Sequence, residues 1–280
     1  MIFSKIPPLG IAHFTVIDVP PVELARLAAK IGYGAIGLRL YPAFPGAPFY
    51  ELPPGSESSR DMQACLRGEG ISVYDIEFVV IGPDFSAASL TGTLESASAL
   101  GARRLSVCGD DSDWSRLVEN FSALCDLAAQ FAISVDLECM PWRSVSSVPV
   151  ALRLVETAGR RNSGVLIDAL HLSRSGGSPE TVKVVPPDLI QSAQLCDARA
   201  ARPQTNDEIV LEARSQRLLP GEGALPLQEL IGVLPDHTVL SVEVPNAGQN
   251  AEDHARRVYD AAQRTLALHA SQRPAQANSN

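Results

Sequence analysis

Lysine is nearly missing from this 280-residue chain: Lys5, Lys30 and Lys183 are its only lysines. No basic run appears, and the formal net charge is −9. Proteins that bind a phosphate backbone usually carry a basic patch, so nucleic acid is not the expected partner. Aromatic residues are scarce at 5%, which leaves Leu, Val, Ile and Ala to build the core. No apolar run approaches the ~18 residues that a membrane span needs, so no membrane partner is expected. The opening Met-Ile-Phe-Ser-Lys-Ile-Pro-Pro lacks the charged and apolar regions of a signal peptide. The five cysteines, Cys65, Cys108, Cys125, Cys139 and Cys196, are odd in number and form no CxxC pair. Buried free thiols in a reducing cytoplasm are the reading that follows. Residues 271–280 are small, polar and Pro-containing, which suits a disordered tail.

What is present is a regular alternation. Apolar strand-like runs at residues 10–16, 35–40, 71–77, 104–108, 134–138, 165–167, 189–196 and 238–244 are separated by helix-like segments. Those segments cover residues 22–30, 61–67, 89–100, 114–131, 148–159, 179–185, 225–234 and 251–269. Two stretches read as long loops, residues 41–56 and 197–223, and long loops in compact domains are usually functional or mobile. Eight strands, each followed by a helix, predict an α/β fold, a (β/α)8 TIM barrel forming a single domain over residues 1–270. The rival is an open doubly wound sheet, which usually carries a Gly-rich phosphate turn after its first strand. Here that turn is His13-Phe-Thr-Val-Ile-Asp-Val-Pro, without glycine.

Strand ends then carry an unusual set of side chains. Glu138, Asp168, Gln194 and Glu243 end, or nearly end, the fifth to eighth strand runs. An acid at the end of a buried strand is costly unless something pairs with it. Each alone could cap a following helix. A closed barrel would bring all four to one rim, where three carboxylates raise one another's pKa unless a cation neutralises them. Three carboxylates and an amide oxygen make an all-oxygen set, suited to Mg²⁺ or Mn²⁺; zinc is less natural without a histidine or thiolate ligand.

These residues and their settings resemble a known family. Glu138 in Val-Asp-Leu-Glu-Cys-Met-Pro, Asp168 and His171 in Leu-Ile-Asp-Ala-Leu-His, Gln194 in Gln-Leu-Cys-Asp-Ala and Glu243 in Ser-Val-Glu-Val-Pro are similar to the sugar phosphate isomerase/epimerase superfamily, the xylose isomerase-like TIM barrels. Arg217-Leu-Leu-Pro-Gly-Glu-Gly resembles that family's Arg-x-x-Pro-Gly-x-Gly loop. The resemblance implies a divalent metal, Mn²⁺ or Mg²⁺ with Co²⁺ or Zn²⁺ as alternatives, held by Glu138, Asp168, Gln194 and Glu243. It also implies that Glu138 and Glu243 act as acid and base, and that His171 and Arg217 bind substrate; chemically, His171 could donate a proton to a departing hydroxyl or simply hold a substrate oxygen. Sugar epimerases of the family commonly have His where Gln194 stands; Gln there is similar to the family's 3-dehydroshikimate dehydratases. Family members are often dimers or tetramers, so a homodimer or homotetramer is expected.

The reaction expected first is isomerisation or epimerisation of a ketose, sugar phosphate or related polyol, by removal of a proton beside a metal-bound carbonyl. Dehydration of a 3-dehydroshikimate- or inosose-type substrate is the alternative, and a ligand-binding barrel without catalysis is the third. Other rim residues divide between roles. Arg39 and Glu77 could touch substrate or pair with each other, and His13 reads as packing. Arg217 could instead pair with Glu212 or Glu222. The Asp110-Asp111-Ser-Asp113 cluster reads as a helix cap, and Met140 and Trp142 as an apolar wall. Tyr41, Phe44, Phe49 and Tyr50 give the 41–56 loop the apolar content of a lid or of a subunit contact.

Overall fold

Hydrogen-bonding order in the computed structural model, which describes residues 8–272, runs around a closed ring of eight parallel strands in chain order. They are β1 (Gly10–Ile11), β2 (Ala35–Leu38), β3 (Ser72–Ile81), β4 (Arg104–Gly109), β5 (Ser134–Glu138), β6 (Ser163–Asp168), β7 (Ile190–Leu195) and β8 (Val239–Val242). This is a single TIM barrel domain, as the alternation predicts. Helices between the strands bury one stripe each. In Pro21–Ile31 the buried positions are Pro21, Leu24, Ala25, Ala28 and Ile31; in Trp114–Ala129 they include Leu117, Phe121, Leu124, Cys125 and Ala128. Burying each large aliphatic side chain contributes about 1.5–3 kcal/mol, so the short helices are held by their packing rather than by propensity.

Local chemistry sets the ends of these elements. Pro21 opens the first helix, where its missing N–H is not needed, and Gly32 closes it with φ at 117°, a left-handed geometry that glycine adopts without strain. Ser56 caps Glu57–Glu69 by accepting from the Ser59 N–H, and Asp113 caps Trp114–Ala129 through the Arg116 N–H. Asp113 therefore has the capping role expected of its cluster, while Asp111 is bound to Arg116 and Asp110 to Arg143. All five cysteines are free. Among the described residues no helix is long and apolar enough to cross a membrane.

Several elements differ from the sequence expectation. The first strand stops at Ile11, and His13–Val16 form a 3₁₀ turn. The reason is long-range: the Glu77 carboxylate accepts the His13 N–H at 2.7 Å and the Phe14 N–H at 3.2 Å, turning both away from a ladder. Thr15 then seals the seam to β8, its hydroxyl donating to the Val242 carbonyl and accepting from the Val244 N–H, both at 3.2 Å. Strand β3 runs beyond Glu77 to Ile81, with a register shift between Ile76 and Val79. Two helices stand where loops were expected. Ala169–Arg174 follows β6 directly, and Asn206–Ser215 lies within residues 197–223, opened by a reciprocal Thr205–Glu208 capping box. The last helix continues to Gln272; the rest of the expected tail, residues 273–280, lies outside the described residues.

The barrel lumen is polar as well as aliphatic. Asp136 accepts from Arg104 at 2.7 and 2.9 Å and from the Ser192 hydroxyl at 2.8 Å. Asp75 has both carboxylate oxygens buried without a partner, and burial pushes its pKa well up. Gly37 makes room for this layer: a Cβ there would lie 2.2 Å from Glu77 Oε1 and 2.7 Å from Asp75 Oδ1.

His13 is a packing residue whose protonation state the geometry determines. Its Nδ1 accepts the Arg39 N–H at 3.0 Å, and its Nε2 lies 2.9 Å from the Val19 carbonyl, which can only accept. The ring is therefore neutral with the proton on Nε2, and burial lowers its pKa from 6.5 to about 4. A base whose folded pKa lies below its unfolded value contributes fully above pH 6.5 and loses that contribution as pH falls toward 4. We expect the stability difference between wild type and His13→Gln, from urea unfolding, to be flat above pH 6.5 and to shrink by about 1.4 kcal/mol per pH unit below it.

Candidate active site

Strand register brings the expected rim together. Asp168 pairs with Gln194 and Gln194 with Ser241, while Glu138, at the end of β5, pairs with Leu166. Glu243 follows β8 directly, its N–H bonded to the Leu195 carbonyl at 3.2 Å. His171 lies in the first turn of Ala169–Arg174, and Asp168 caps that turn, its Oδ1 accepting the His171 N–H at 2.8 Å. Asp168 thus has both readings at once, cap and rim carboxylate. A cavity of about 260 Å³ is lined by Arg39, Glu77, Glu138, His171, Gln194, Arg217 and Glu243, with Phe14, Phe44, Phe78, Met140 and Trp142 among its apolar walls.

Arg217 is the organising cation. Its Nη1 donates to Asp168 Oδ2 at 2.6 Å, and its Nη2 lies 2.9 Å from Glu243 Oε2. Its Nε donates to the Ala213 carbonyl at 2.9 Å, which fixes the plane of the guanidinium. Neither Glu212 nor Glu222 takes it: Glu212 is bound by Arg174, with two contacts of 2.7 Å. Asp197 holds the turn that presents Arg217. Its carboxylate accepts from the N–H groups of Ala198, Gly221 and Leu225 at 2.8 to 3.0 Å, and its backbone pairs with Leu218. Gly223 is required beside it, because a Cβ there would lie 2.4 Å from Asp197 Oδ1. Sequence reasoning missed this role, although the acid in Gln-Leu-Cys-Asp-Ala ahead of a Pro-Gly-Glu-Gly turn was the available signal.

The electrostatics separate the two glutamates. Burial raises Glu138 well above the usual carboxylate range, and the charges of Glu243 and Asp168 add to that. Its Oε1 has no hydrogen-bond partner and lies 3.6 Å from His171 Nε2. Glu243 is raised to about 7, burial outweighing the nearby Arg217. Burial also pushes Asp168 up, but Arg217 and His171 overcome it and hold that carboxyl low. His171 is lowered to about 4, mainly by burial, and so is neutral. Its ring meets Trp142 edge-on, with centroids 5.1 Å apart.

A divalent cation fits these residues. Glu138, Asp168 and His171 each offer a ligand atom within 4.8 Å of the others. Glu138 Oε1 and Gln194 Oε1 are both buried and unpartnered. Three carboxyl groups share one guanidinium, so ionising all of them would leave two negative charges in a dry rim that water cannot screen, which is why burial holds Glu138 and Glu243 up and why a cation would let them ionise. Gln194 Nε2 points toward Glu243 Oε1 at 3.4 Å. Of the remaining candidates, Arg39 and Glu77 do contact each other, at 3.5 Å, and both line the cavity. From the 41–56 loop, Phe44 reaches the cavity and lies under the Arg214 guanidinium, whereas Tyr50 stacks on His13.

A family model described as xylose isomerase-like TIM barrel matches residues 25–266. The chain belongs to that family. Among the family's solved structures, the IolI protein with a binding zinc atom superposes with a TM-score of 0.78, at 19% identity, covering 94% of this chain and 99% of that one. D-psicose 3-epimerase from Clostridium cellulolyticum H10, solved with D-tagatose, gives 0.68 at 15% identity, covering 94% and 98%. At such identities the likeness is one of fold. In sequence, a 3-dehydroshikimate dehydratase of Pseudomonas putida is 26% identical over 155 residues, 51% of this chain and 24% of that protein. The match thus spans about a quarter of that relative's length. The chain's relatives in this family are isomerases, epimerases and dehydratases.

Removing Arg217 leaves Asp168 and Glu243 buried without their cation. Breaking a buried ion pair by deleting one partner typically costs about 3–5 kcal/mol. Arg217→Met is expected to lose that much stability in urea unfolding of metal-free protein; an unchanged midpoint would show that the rim charges are neutralised some other way.

Proposed function

We propose that this barrel is a divalent-metal-dependent enzyme that removes a proton beside a carbonyl and then expels a β-hydroxyl, dehydrating a hydroxy-ketone. The observation that carries the choice is the asymmetry of the two glutamates. Glu138 has a free, buried oxygen, whereas Glu243 is engaged by Arg217 at 2.9 Å and by Gln194 at 3.4 Å. Epimerisation needs a proton acceptor on one face of the substrate and a donor on the other. Elimination needs one base and a nearby proton source for the departing oxygen.

Glu138, Asp168, Gln194 and Glu243 would hold the metal, with Mn²⁺ or Mg²⁺ suiting the oxygen donors. When bound, the ion supplies Lewis-acid polarisation of the substrate carbonyl. Glu138 takes the proton from carbon, and the C–H pair becomes the new carbon–carbon double bond. The β C–O bond breaks, and the oxygen leaves as water with the proton that Glu138 has taken, relayed by His171 as one imidazole nitrogen accepts it and the other releases its own, so that the ring stays neutral throughout. His171 Nε2 lies 3.6 Å from Glu138 Oε1, and the two close to hydrogen-bond distance when substrate is bound in this relay. Trp142 positions the ring, and the aromatic walls exclude bulk water. Arg217, bound to Asp168 and Glu243, orients these two carboxylates. Gln194, in place of the histidine common in the family's sugar epimerases, and the sequence likeness to a dehydratase support the same outcome. Epimerisation remains the second reading, because both glutamates line one cavity.

The deciding assay follows candidate β-hydroxy-ketones in D₂O with Mn²⁺-loaded protein. Ultraviolet absorbance of a conjugated product is expected, abolished by chelator and reduced about 10²–10⁴-fold in Glu138→Gln. Deuterium incorporation without dehydration would overturn elimination in favour of epimerisation. Metal binding is tested separately by calorimetry. Asp168→Asn with Glu243→Gln should weaken Mn²⁺ affinity, and Gln194→His should move preference from Mg²⁺ toward Zn²⁺ or Co²⁺, since it adds a nitrogen ligand. Identical metal preference in wild type and Gln194→His would remove Gln194 from the ligand set.

A further inference from the structure

Arg39 is a buried cation with too few partners. It follows β2, is 4% exposed, and lies between two aromatic rings, its guanidinium carbon 5.1 Å from the Phe14 centroid and 5.4 Å from that of Phe78. Among the described residues its guanidinium makes one hydrogen bond, to Glu77 Oε2 at 3.5 Å, the outer limit for such a contact. Its Nε is buried with no acceptor. Glu77 is a poor counterion, because its carboxylate already accepts the His13 and Phe14 N–H groups at 2.7 and 3.2 Å. A buried, under-bonded guanidinium is costly, and the usual resolution is a bidentate carboxylate or phosphate. Arg39 lines the same cavity as Glu138 and His171, but it takes no part in the proton steps above.

The surrounding charge points the same way. Arg39, Arg143, Arg214 and Arg217 all line the cavity, in a chain whose net charge is −9. Arg217 is committed to Asp168 and Glu243, and Arg143 to Asp110. Arg39 is therefore the buried guanidinium left with bonding capacity. We infer that Arg39 anchors a carboxylate carried by the substrate, so that the dehydration proposed above acts on an anionic hydroxy-keto acid rather than on a neutral ketose or cyclitol. This rests on that proposed reading only for the reaction; the anchoring stands on Arg39's own geometry. A phosphate is the poorer fit, since its three oxygens would find one guanidinium whose edge toward Glu77 is already occupied.

Isothermal titration of Mn²⁺-loaded and chelator-treated full-length protein tests the assignment. The probes are a polyhydroxylated cyclohexanecarboxylate, its neutral carboxamide and a phosphorylated ketose. Wild type should bind the carboxylate about 10- to 100-fold more tightly than the carboxamide, the worth of hydrogen bonds to a charged partner. Arg39→Gln should abolish that preference while carboxamide affinity stays constant. Arg39→Lys, which keeps charge without the planar fork, should retain only part of it, and serves alone if the glutamine variant unfolds. Equal affinity for carboxylate and carboxamide in wild type, a preference undiminished in either variant, or tighter binding of the phosphorylated ketose would each overturn the anchor. The dehydration reading fails separately: a preference dependent on Arg39 but without turnover of any hydroxy-keto acid keeps the anchor and removes the reaction.

Discussion

Two carboxylates sharing one guanidinium, away from water, is the contact on which the rim depends. Asp168 ends β6 and Glu243 follows β8, and neither strand touches the other in the ring. Arg217 joins them from a turn after β7, so it ties together three successive strand–helix units. Its position is in turn secured by Asp197, which gathers three backbone N–H groups, and by the Ala213 carbonyl. The Arg174–Glu212 pair then fastens the helix Asn206–Ser215 to the helix carrying His171. Each link is a buried charge with its partner supplied, and a missing partner would be expensive. The rim is rigid for an electrostatic reason before any ligand arrives.

A site that can bind a cation must leave some ligand atoms unsatisfied, and several such atoms gather at this rim. Glu138 Oε1 and Gln194 Oε1 are orphaned at the mouth, and Asp75 below them in the lumen. By contrast, Asp136 near the barrel floor is fully engaged by Arg104 and Ser192. Asp136 is closed off with partners, whereas Glu138 and Gln194 at the mouth are left open in a water-poor setting where each interaction is strong. That contrast, more than any single pKa, separates scaffold from candidate chemistry.

Much of this was legible in the chain because acids at the ends of aliphatic runs are anomalies. Glu138, Asp168, Gln194 and Glu243 stood out, and parallel closure then placed them on one rim. What stayed hidden was long-range. Arg217 meets Asp168 across 49 positions, and nothing in its local sequence names that partner over Glu212 or Glu222. The turn at His13–Val16 reads as strand because its composition is apolar; a carboxylate 64 residues away draws its N–H groups elsewhere. The helix Asn206–Ser215 was obscured by its mixed polarity, although Thr205 and Glu208 carried a capping signature that could have revealed it. Arg39 and Glu77 were visible as a pair, but not the aromatic pocket that leaves the arginine under-bonded.

The seam where β1 meets β8 has a consequence for how the molecule assembles. Every other neighbouring strand pair is joined by a local crossover carrying one or more helices, but here the two ends of the barrel must meet. Thr15 binds Val242 and Val244 across 227 and 229 positions, and β1 offers only two residues of ladder on either side. Contacts of such separation carry the largest loop-closure entropy in the fold. The costliest closure of the ring is therefore met by its shortest ladder, and a side-chain hydroxyl adds hydrogen bonds where strand backbone is lacking.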